Sequence, residues 1–465
     1  MTSLSVEVLA ADAVEPITSA GNAQLGIAVL AGIAVIVLLI TKFKLHAFLA
    51  LTIGSLALGA FAGAPLAATI DSFTAGLGKT VAGVGVLIAL GAILGKLLAD
   101  SGGADQIVDT ILARASGRSM PWAMVLIASV IGLPLFFEVG IVLLIPVVLL
   151  VAKRGNYSLM RIGIPALAGL SVMHGLIPPH PGPLVAIDAL GADLGVTLAL
   201  GVLVAVPTVI IAGPLFSRYA ARWVDIPAPE NMIPARPSED LEKRPGFAAT
   251  VATVLLPVVL MLVKALVDIV VDNPDNAVQK VTDVIGSPLI ALLAAVIVGL
   301  FTLGRAAGFT KERLSSTVEK SLAPIAGVLM IVGAGGGFKQ TLIDVGVGQM
   351  ILDFSKNWSI PALLLAWLIA VAIRLATGSA TVATISAAGL VAPLAEGMGT
   401  SETALLVLAI GAGSLFFSHV NDAGFWLVKE YFGMSVGQTI KTWSVMETII
   451  SVVGIVFVLL LSLVL

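Results

Sequence analysis

Cysteine is absent from this chain of 465 residues, and charged residues are scarce. Without cysteine, the chain can form no disulfide bond, no thiolate metal site and no cysteine nucleophile. Charged residues make up 11% of the sequence, against about 25% in soluble domains. The net charge of −3 argues against a nucleic-acid-binding surface. Neither nucleic acid nor a cofactor is therefore expected as a partner.

Apolar residues take the place of the missing charges and account for 58% of the chain. Runs of about 20 apolar residues recur, and each is long enough to cross the hydrocarbon core of a bilayer as a helix. The sequence therefore predicts an all-α polytopic membrane protein whose surroundings are the lipid bilayer.

Two polar interruptions of apolar runs lie at corresponding places in the two halves. GLSVMHGLIPPHPGPLVA (169–186) contains two histidines and four prolines where hydropathy alone predicts a membrane helix. GAGSLFFSHVNDAGFWLV (411–428) begins 242 positions later, and its interruption contains His419, Asn421 and Asp422. Because prolines break a helix and polar residues interrupt the apolar runs, both segments are predicted to be broken helices. Such a pair is typical of the substrate site of a secondary transporter.

Two re-entrant helical hairpins are also predicted. Glu138 is the only charge between Arg118 and Lys153, and Pro134 lies in the middle of this long apolar run. The second hairpin, at about 361–395, surrounds ATGSATVATISAAG. Each run is too long for one crossing, so each is expected to enter the membrane and return to the same side.

The whole chain is predicted to form two inverted-topology repeats with about ten crossings. The expected divisions are an exposed acidic tail at 1–25, repeat 1 at 26–216, a linker at 217–247 and repeat 2 at 248–465. The expected crossings lie near 26–41, 46–63, 80–98, 162–186, 194–216, 248–268, 288–304, 322–338, 404–428 and 445–465.

Basic residues in the linker, including Arg218, Arg222 and Arg236, place it in the cytoplasm by the positive-inside rule. Five crossings before it then put the N-terminus outside, and an odd number of crossings per half makes the halves inverted. The expected location is the cytoplasmic (inner) membrane of a bacterium.

Two carboxyl groups are candidates for carrying a proton. An ionised carboxylate at the centre of a membrane helix costs about 2.5–3.5 kcal/mol on insertion scales, so its neutral form is favoured there. Glu138, in the first predicted hairpin, and Asp422, at the second predicted break, are the two candidates. The alternative for Glu138 is a capping role at a helix start within the hairpin.

Substrate-binding candidates cluster at the same breaks and tips. They are Phe137, Glu138, Gly140, His174, His180, Gly182, Gly378, Ser379, Thr381, Ser418, His419, Asn421, Asp422 and Gly424. Hydroxyl groups and backbone N–H groups at a half-helix N-terminus suit a carboxylate. The alternatives are packing roles, for the histidines and for the small residues of the second hairpin. No carboxylate or third histidine lies near His174 and His180, so no metal site is expected.

Arg374 and a glycine-rich run leave two further choices. Arg374 could pair with a carboxylate, but extension of its side chain to a membrane interface is slightly favoured. GAGGGFK (333–339) lacks the spacing of a phosphate-binding loop, which favours close helix packing or a flexible element.

Five runs together resemble the gluconate permease (GntP) family over nearly the whole chain. They are LGAILGKLLADSGGADQIVDTI (90–111), PLFFEVGIVLLIPV (134–147), MHGLIPPHPGPLVA (173–186), ATGSATVATISAAGLVAP (376–393) and SHVNDAGFWLVKEYFGMS (418–435). The resemblance implies proton-coupled uptake of a sugar acid such as gluconate. It also implies membership of the wider ion transporter superfamily, with inverted repeats and two re-entrant hairpins.

The resulting hypothesis is a proton symporter for gluconate or a related sugar acid, with alternating access around a mid-membrane site. The alternatives are sodium-coupled carboxylate transport, a permease for another hydroxy acid or D-serine, and a membrane-embedded hydrolase with Ser379 or Ser418 as nucleophile. The sequence leaves open whether two copies form a homodimer.

Overall fold

The computed structural model describes residues 16–227, 243–271, 275–347, 350, 361–419 and 422–465. The described chain is helical and contains no β-strand, in agreement with the predicted all-α fold. Its α-helices are α1 Asn22–Thr41, α2 Ala47–Phe61, α3 Leu66–Asp100, α4 Gly103–Leu112, α5 Met120–Gly132, α6 Phe137–Gly155, α7 Leu159–Leu176, α8 Pro181–Leu190, α9 Leu194–Ile210, α10 Ser217–Trp223, α11 Phe247–Val270, α12 Ala277–Ile285, α13 Pro288–Gly299, α14 Lys311–Leu322, α15 Ala326–Asp344, α16 Ala362–Thr377, α17 Ala380–Val391, α18 Thr400–Ser414, α19 Ala423–Tyr431, α20 Val436–Thr439 and α21 Val445–Leu461.

Eight helical segments of the described chain are long and apolar enough to cross a membrane. They are Asn22–Ile40, Leu66–Asp100, Leu159–Leu190, Leu194–Trp223, Phe247–Asp268, Pro288–Arg305, Lys311–Asp344 and Val436–Leu461. The two other predicted crossings, 46–63 and 404–428, correspond to shorter helices: α2, and α18 followed by α19. The helices therefore account for all ten predicted crossings.

Several boundaries differ from the prediction. Helix α3 starts at Leu66 rather than near residue 80, and the more polar residues before residue 80 form its first turns. The helix that begins with α9 continues through α10 to Trp223, so the predicted linker begins inside a helix. The tail residues 1–15 and linker residues 228–242 lie outside the described residues.

Both predicted broken helices are interrupted where the polar residues occur. Helix α7 ends at Leu176 and α8 begins at Pro181, and residues 177–180 form the first break. Helix α18 ends at Ser414 and α19 begins at Ala423, and the second break lies between them, with residues 415–419 and 422 described. Prolines account for the first break because they lack the N–H that a helix needs.

Both predicted hairpins are helix pairs. Helices α5 and α6 form hairpin 1, with a tip at 133–136 that contains Pro134. Helices α16 and α17 form hairpin 2, with a tip at Gly378 and Ser379. Gly378 has φ +73°, a left-handed conformation that glycine adopts without a Cβ clash, so the chain can reverse within two residues.

The glycine-rich run in α15 serves close helix packing, as the sequence favoured. Helices α3 and α15 share the most extensive helix contact in the described chain. A methyl group on Gly336 would lie 2.7 Å from the carbonyl oxygen of Gly76, and one on Gly337 would lie 2.7 Å from that of Phe73. Small residues thus allow the two backbones to approach each other.

This packing predicts different outcomes for two glycines two positions apart on α3. A Cβ at Gly76 would lie 2.5 Å from Cβ of Gln340, whereas one at Gly78 would have no neighbour within 4 Å. We expect Gly76→Ala to lower the free energy of unfolding by about 1–3 kcal/mol through overpacking. Gly78→Ala is the matched control and should be neutral or slightly stabilising. Thermal unfolding in detergent measures both, and equal melting temperatures would contradict the role of this contact.

Candidate functional site

A polar cavity of about 260 Å³ lies where the tip of hairpin 2 meets the second break. We call it the central cavity. Its lining residues are Ile40, Phe137, Ser171, His174, Arg374, Thr377, Gly378, Ser379, Ala380, Thr381, Leu415, Asp422, Ala423, Gly424, Trp443 and Glu447. Both halves of the chain contribute, since α1, α6 and α7 supply four of these residues.

Arg374 joins hairpin 2 to the second break. One of its guanidinium nitrogens, Nη1, donates to the carbonyl oxygen of Gly378 at 2.6 Å. The other, Nη2, forms an ion pair with Oδ2 of Asp422. Arg374 is only 3% exposed, so the expectation that its side chain reaches a membrane interface was wrong. It is instead a buried cation in the wall of the central cavity.

Asp422 is surrounded by hydrogen-bond donors. Its Oδ2 accepts from Arg374 and from the hydroxyl of Ser418, and its Oδ1 accepts from the backbone N–H of Gly424 at 2.8 Å. The last bond caps the N-terminus of α19. One carboxyl group thereby connects Arg374, the second break and the start of α19.

Three helices begin at the central cavity: α6, α17 and α19, whose first residues are Phe137, Ala380 and Ala423. Within the described part of the chain, no acceptor pairs with the backbone N–H groups of Ala380 and Thr381. Unpaired N–H groups and the positive end of the helix dipole both attract anions. The cavity therefore suits a carboxylate.

Aromatic rings close the cavity beside α7. The rings of Phe137 and Trp443 have centroids 5.5 Å apart, and those of Phe137 and His174 are 6.3 Å apart. The indole N–H of Trp443 donates to Oγ of Ser418 at 2.7 Å. Trp443 thereby helps to fix the hydroxyl that donates to Asp422.

The central cavity brings together half of the residues predicted from the sequence. Those that line it are Phe137, His174, Gly378, Ser379, Thr381, Asp422 and Gly424. Asn421 lies outside the described residues, as does the side chain of Glu138, the second residue of α6. Ser418 and His419 lie next to the cavity without lining it, and Ser418 contacts it through Asp422.

Three predicted residues pack around the cavity and do not line it. His180, 3% exposed, has its Nε2 2.8 Å from the carbonyl oxygen of Gly132 in α5. A methyl group on Gly182 would lie 3.4 Å from Oγ1 of Thr384. A methyl group on Gly140 would lie 2.7 Å from Leu170. Residues at and next to the first break therefore pack against hairpins 1 and 2, while the second break opens onto the cavity.

Sequence reasoning missed Ser171, Trp443 and Glu447. The last crossing was expected near 445–465, and no role was predicted for Glu447. The apolar helical segment in fact runs from Val436 to Leu461, so Glu447 lies near its middle and is 1% exposed. An isolated carboxylate in the 24 residues after Lys441 was the signal that could have found it.

A larger cavity of about 810 Å³ lies between α1 and α16, but it lacks the chemistry to hold an acid. Asn22 is the only polar residue among its described lining residues. Apolar walls without donors leave a carboxylate unsatisfied. The smaller central cavity is therefore the candidate site.

Comparisons with known proteins agree with a transporter. A family model described as GntP family permease matches residues 25–464. The gluconate permease of Pseudomonas aeruginosa is 52% identical over 92% of this chain and 96% of its own length. A high-affinity gluconate transporter of Escherichia coli is 43% identical over 93% and 98%. The Gnt-II system L-idonate transporter of Escherichia coli is 40% identical over 94% and 99%.

Two solved transporter structures are similar in fold. The YdaH transporter of Alcanivorax borkumensis has a TM-score of 0.60 at 18% identity and covers 85% of this chain and 90% of its own. MtrF of Neisseria gonorrhoeae has a TM-score of 0.63 at 16% identity and covers 84% and 83%. At these identities the likeness concerns the fold alone.

The buried ion pair predicts strong coupling between its two members. We expect Arg374→Gln and Asp422→Asn each to lower the free energy of unfolding by about 3 kcal/mol, because each leaves a buried charge without its partner. The double variant should lose clearly less than the sum of the two. Lys280→Gln, which removes an exposed ion pair with Asp275, is the control and should change stability by less than about 1 kcal/mol. Thermal unfolding in detergent supplies the values, and additive losses would show that the pair is not coupled.

Proposed function

The chain belongs to the GntP permease family and is a membrane transporter rather than an enzyme, and on this premise we propose that it imports gluconate or a related sugar acid by proton symport. The names of its relatives support a sugar acid as substrate, since they include gluconate permeases and an L-idonate transporter. The proposed location is the bacterial inner membrane, with the N-terminus outside and the central linker in the cytoplasm. Whether two copies form a homodimer stays a prediction.

The observation that carries the proposal is the buried cation Arg374 in a cavity that also receives helix N-termini. The carboxylate of the acid binds at the N-terminus of α17, where the N–H groups of Ala380 and Thr381 lack acceptors within the described chain. Hydroxyl side chains of the same wall, Ser379 and Thr381, bind the hydroxyl groups of the sugar acid.

The arrangement of breaks and hairpins supports alternating access. Each half of the chain contains, in the same order, a hairpin and then a broken helix. We assign these to two inverted repeats, as the sequence predicts. The hairpins then move against the remaining helices and open the cavity to one side of the membrane at a time.

Proton coupling requires a carboxyl group that changes its protonation state at or near the cavity. The sequence offers Glu138 and Asp422, of which Asp422 lines the cavity. A monoanion that crosses together with one proton is electroneutral. A pH gradient alone can then drive accumulation, without a membrane potential.

Uptake into proteoliposomes under an imposed pH gradient tests the coupling. With sodium absent and the interior more alkaline by about one pH unit, gluconate should accumulate up to about tenfold, because one proton then supplies about 1.4 kcal/mol. Collapsing the gradient with a protonophore is the control and should leave internal and external gluconate equal. Accumulation that appears only when a sodium gradient is applied would replace proton coupling by sodium coupling.

A thermal-shift screen tests the substrate class. A ligand that binds only the folded protein stabilises it by about 2.7 kcal/mol at a concentration of 100 times its Kd. We expect gluconate and L-idonate to raise the melting temperature, and glycerate and D-serine to have little effect. A shift with D-serine and none with gluconate would contradict the proposed substrate.

A further inference from the structure

Glu447 is a buried carboxyl group in the wall of the central cavity for which the proposed transport cycle has no role so far. It lies in the segment Val436–Leu461, is 1% exposed and lines the cavity with Arg374 and Asp422. Charged side chains within a membrane are costly and usually functional. Its position next to the proposed substrate therefore requires an explanation.

The surroundings of Glu447 fit a neutral carboxyl group better than a carboxylate. Its Oε1 is buried and has no hydrogen-bond partner in the described structure, and the hydroxyl-bearing Ser171 lines the same cavity. A buried ionised carboxylate needs a cation or several donors, and a protonated one needs far less. The surroundings therefore permit this group to hold a proton.

Asp422, the other carboxyl group of the cavity, has the opposite surroundings. It accepts from Arg374, from Ser418 and from the N–H of Gly424, and it caps α19. Protonation of Asp422 would weaken the ion pair that joins hairpin 2 to the second break. Of the two carboxyl groups, Asp422 is the one whose contacts require a permanent charge.

The ionisable groups that face Glu447 come from few elements. Arg374 lies in α16, His174 lies in α7, and Asp422 directly precedes α19. Of the other helices that pack on α21, α9 has no ionisable side chain, and α18 has only Glu402, exposed at its far end. Arg161, at the start of α7, donates to Pro214 and Ser217. Among the described residues, the ionisable groups in the wall of the cavity are therefore Arg374, Asp422, Glu447 and the imidazole of His174.

We propose that Glu447 is the proton-binding group of the transport cycle and that Asp422 stays ionised to hold Arg374 in place. The assignment rests on the proposed proton symport. With Glu447 ionised, the arginine and the two carboxylates have one net negative charge, which repels an anionic substrate. A proton on Glu447 makes the same set neutral and admits the carboxylate. Substrate and proton therefore bind with positive coupling, and each strengthens the binding of the other.

The test compares Glu447→Gln with Glu402→Gln, the same change at the exposed start of α18. Purified protein in weakly buffered detergent solution is mixed with gluconate while a pH indicator reports proton uptake and calorimetry reports Kd. We expect the wild type and Glu402→Gln to take up about one proton per gluconate bound. Their affinity should fall by up to about tenfold per pH unit once Glu447 ionises. Glu447→Gln mimics the neutral form, so it should bind gluconate without proton uptake and with a Kd independent of pH.

The remaining outcomes are decisive as well. Wild-type proton uptake in Glu447→Gln, or a folded variant that no longer binds gluconate, would overturn the assignment. If Glu447→Gln does not fold, Glu447→Asp decides: a shifted pH midpoint of gluconate binding supports the assignment and an unchanged midpoint overturns it. A wild type that binds gluconate without taking up protons would instead contradict proton symport itself.

Discussion

The ion pair between Arg374 and Asp422 is the interaction on which the site depends. Arg374, one turn before the tip of hairpin 2, and Asp422, the last residue of the second break, are 48 residues apart in sequence. Their ion pair joins the tip of hairpin 2 to the second break. An ion pair between exposed loops would add little stability. In a low-dielectric interior, by contrast, each charge is costly without its partner. The pair therefore fixes the distance between two helix N-termini, those of α17 and α19. Their N–H groups then face the same small volume.

Close packing of helices supplies the frame around this pair. Glycines allow α3 and α15 to approach along much of their length. The same device recurs where the broken helices meet, since a methyl group on Gly411 of α18 would clash with the carbonyl oxygen of Gly175 in α7. In a membrane, helices gain no hydrophobic free energy by associating, so close contact and polar pairing carry the association. Non-helical backbone at the breaks is tolerated because this frame encloses it.

The sequence predicted the helices well because hydropathy and proline act locally. The breaks at 177–180 and 415–422, and the hairpin tips at Pro134 and Gly378, all lie where a local rule placed them. Residue partners were harder to predict, because they depend on the packing of distant segments. Arg374 resembles an interfacial arginine until Asp422 is found beside it, and Glu447 resembles an interfacial carboxylate until its helix is found to start at Val436.

The two breaks, so similar in sequence pattern, have different surroundings, and this asymmetry indicates where the chemistry takes place. At the first break, His180 contacts the carbonyl oxygen of Gly132 in hairpin 1, and Gly182, the second residue of α8, packs against Thr384 of hairpin 2. The second break faces open space lined by Arg374 and Glu447. A histidine bonded to a carbonyl oxygen and a glycine packed against a threonine can hold elements together, but they leave no room for a solute. Of the two breaks, the second is therefore the one suited to binding. The charged residues that line the cavity in the described chain, Arg374, Asp422 and Glu447, all lie in the C-terminal half of the sequence.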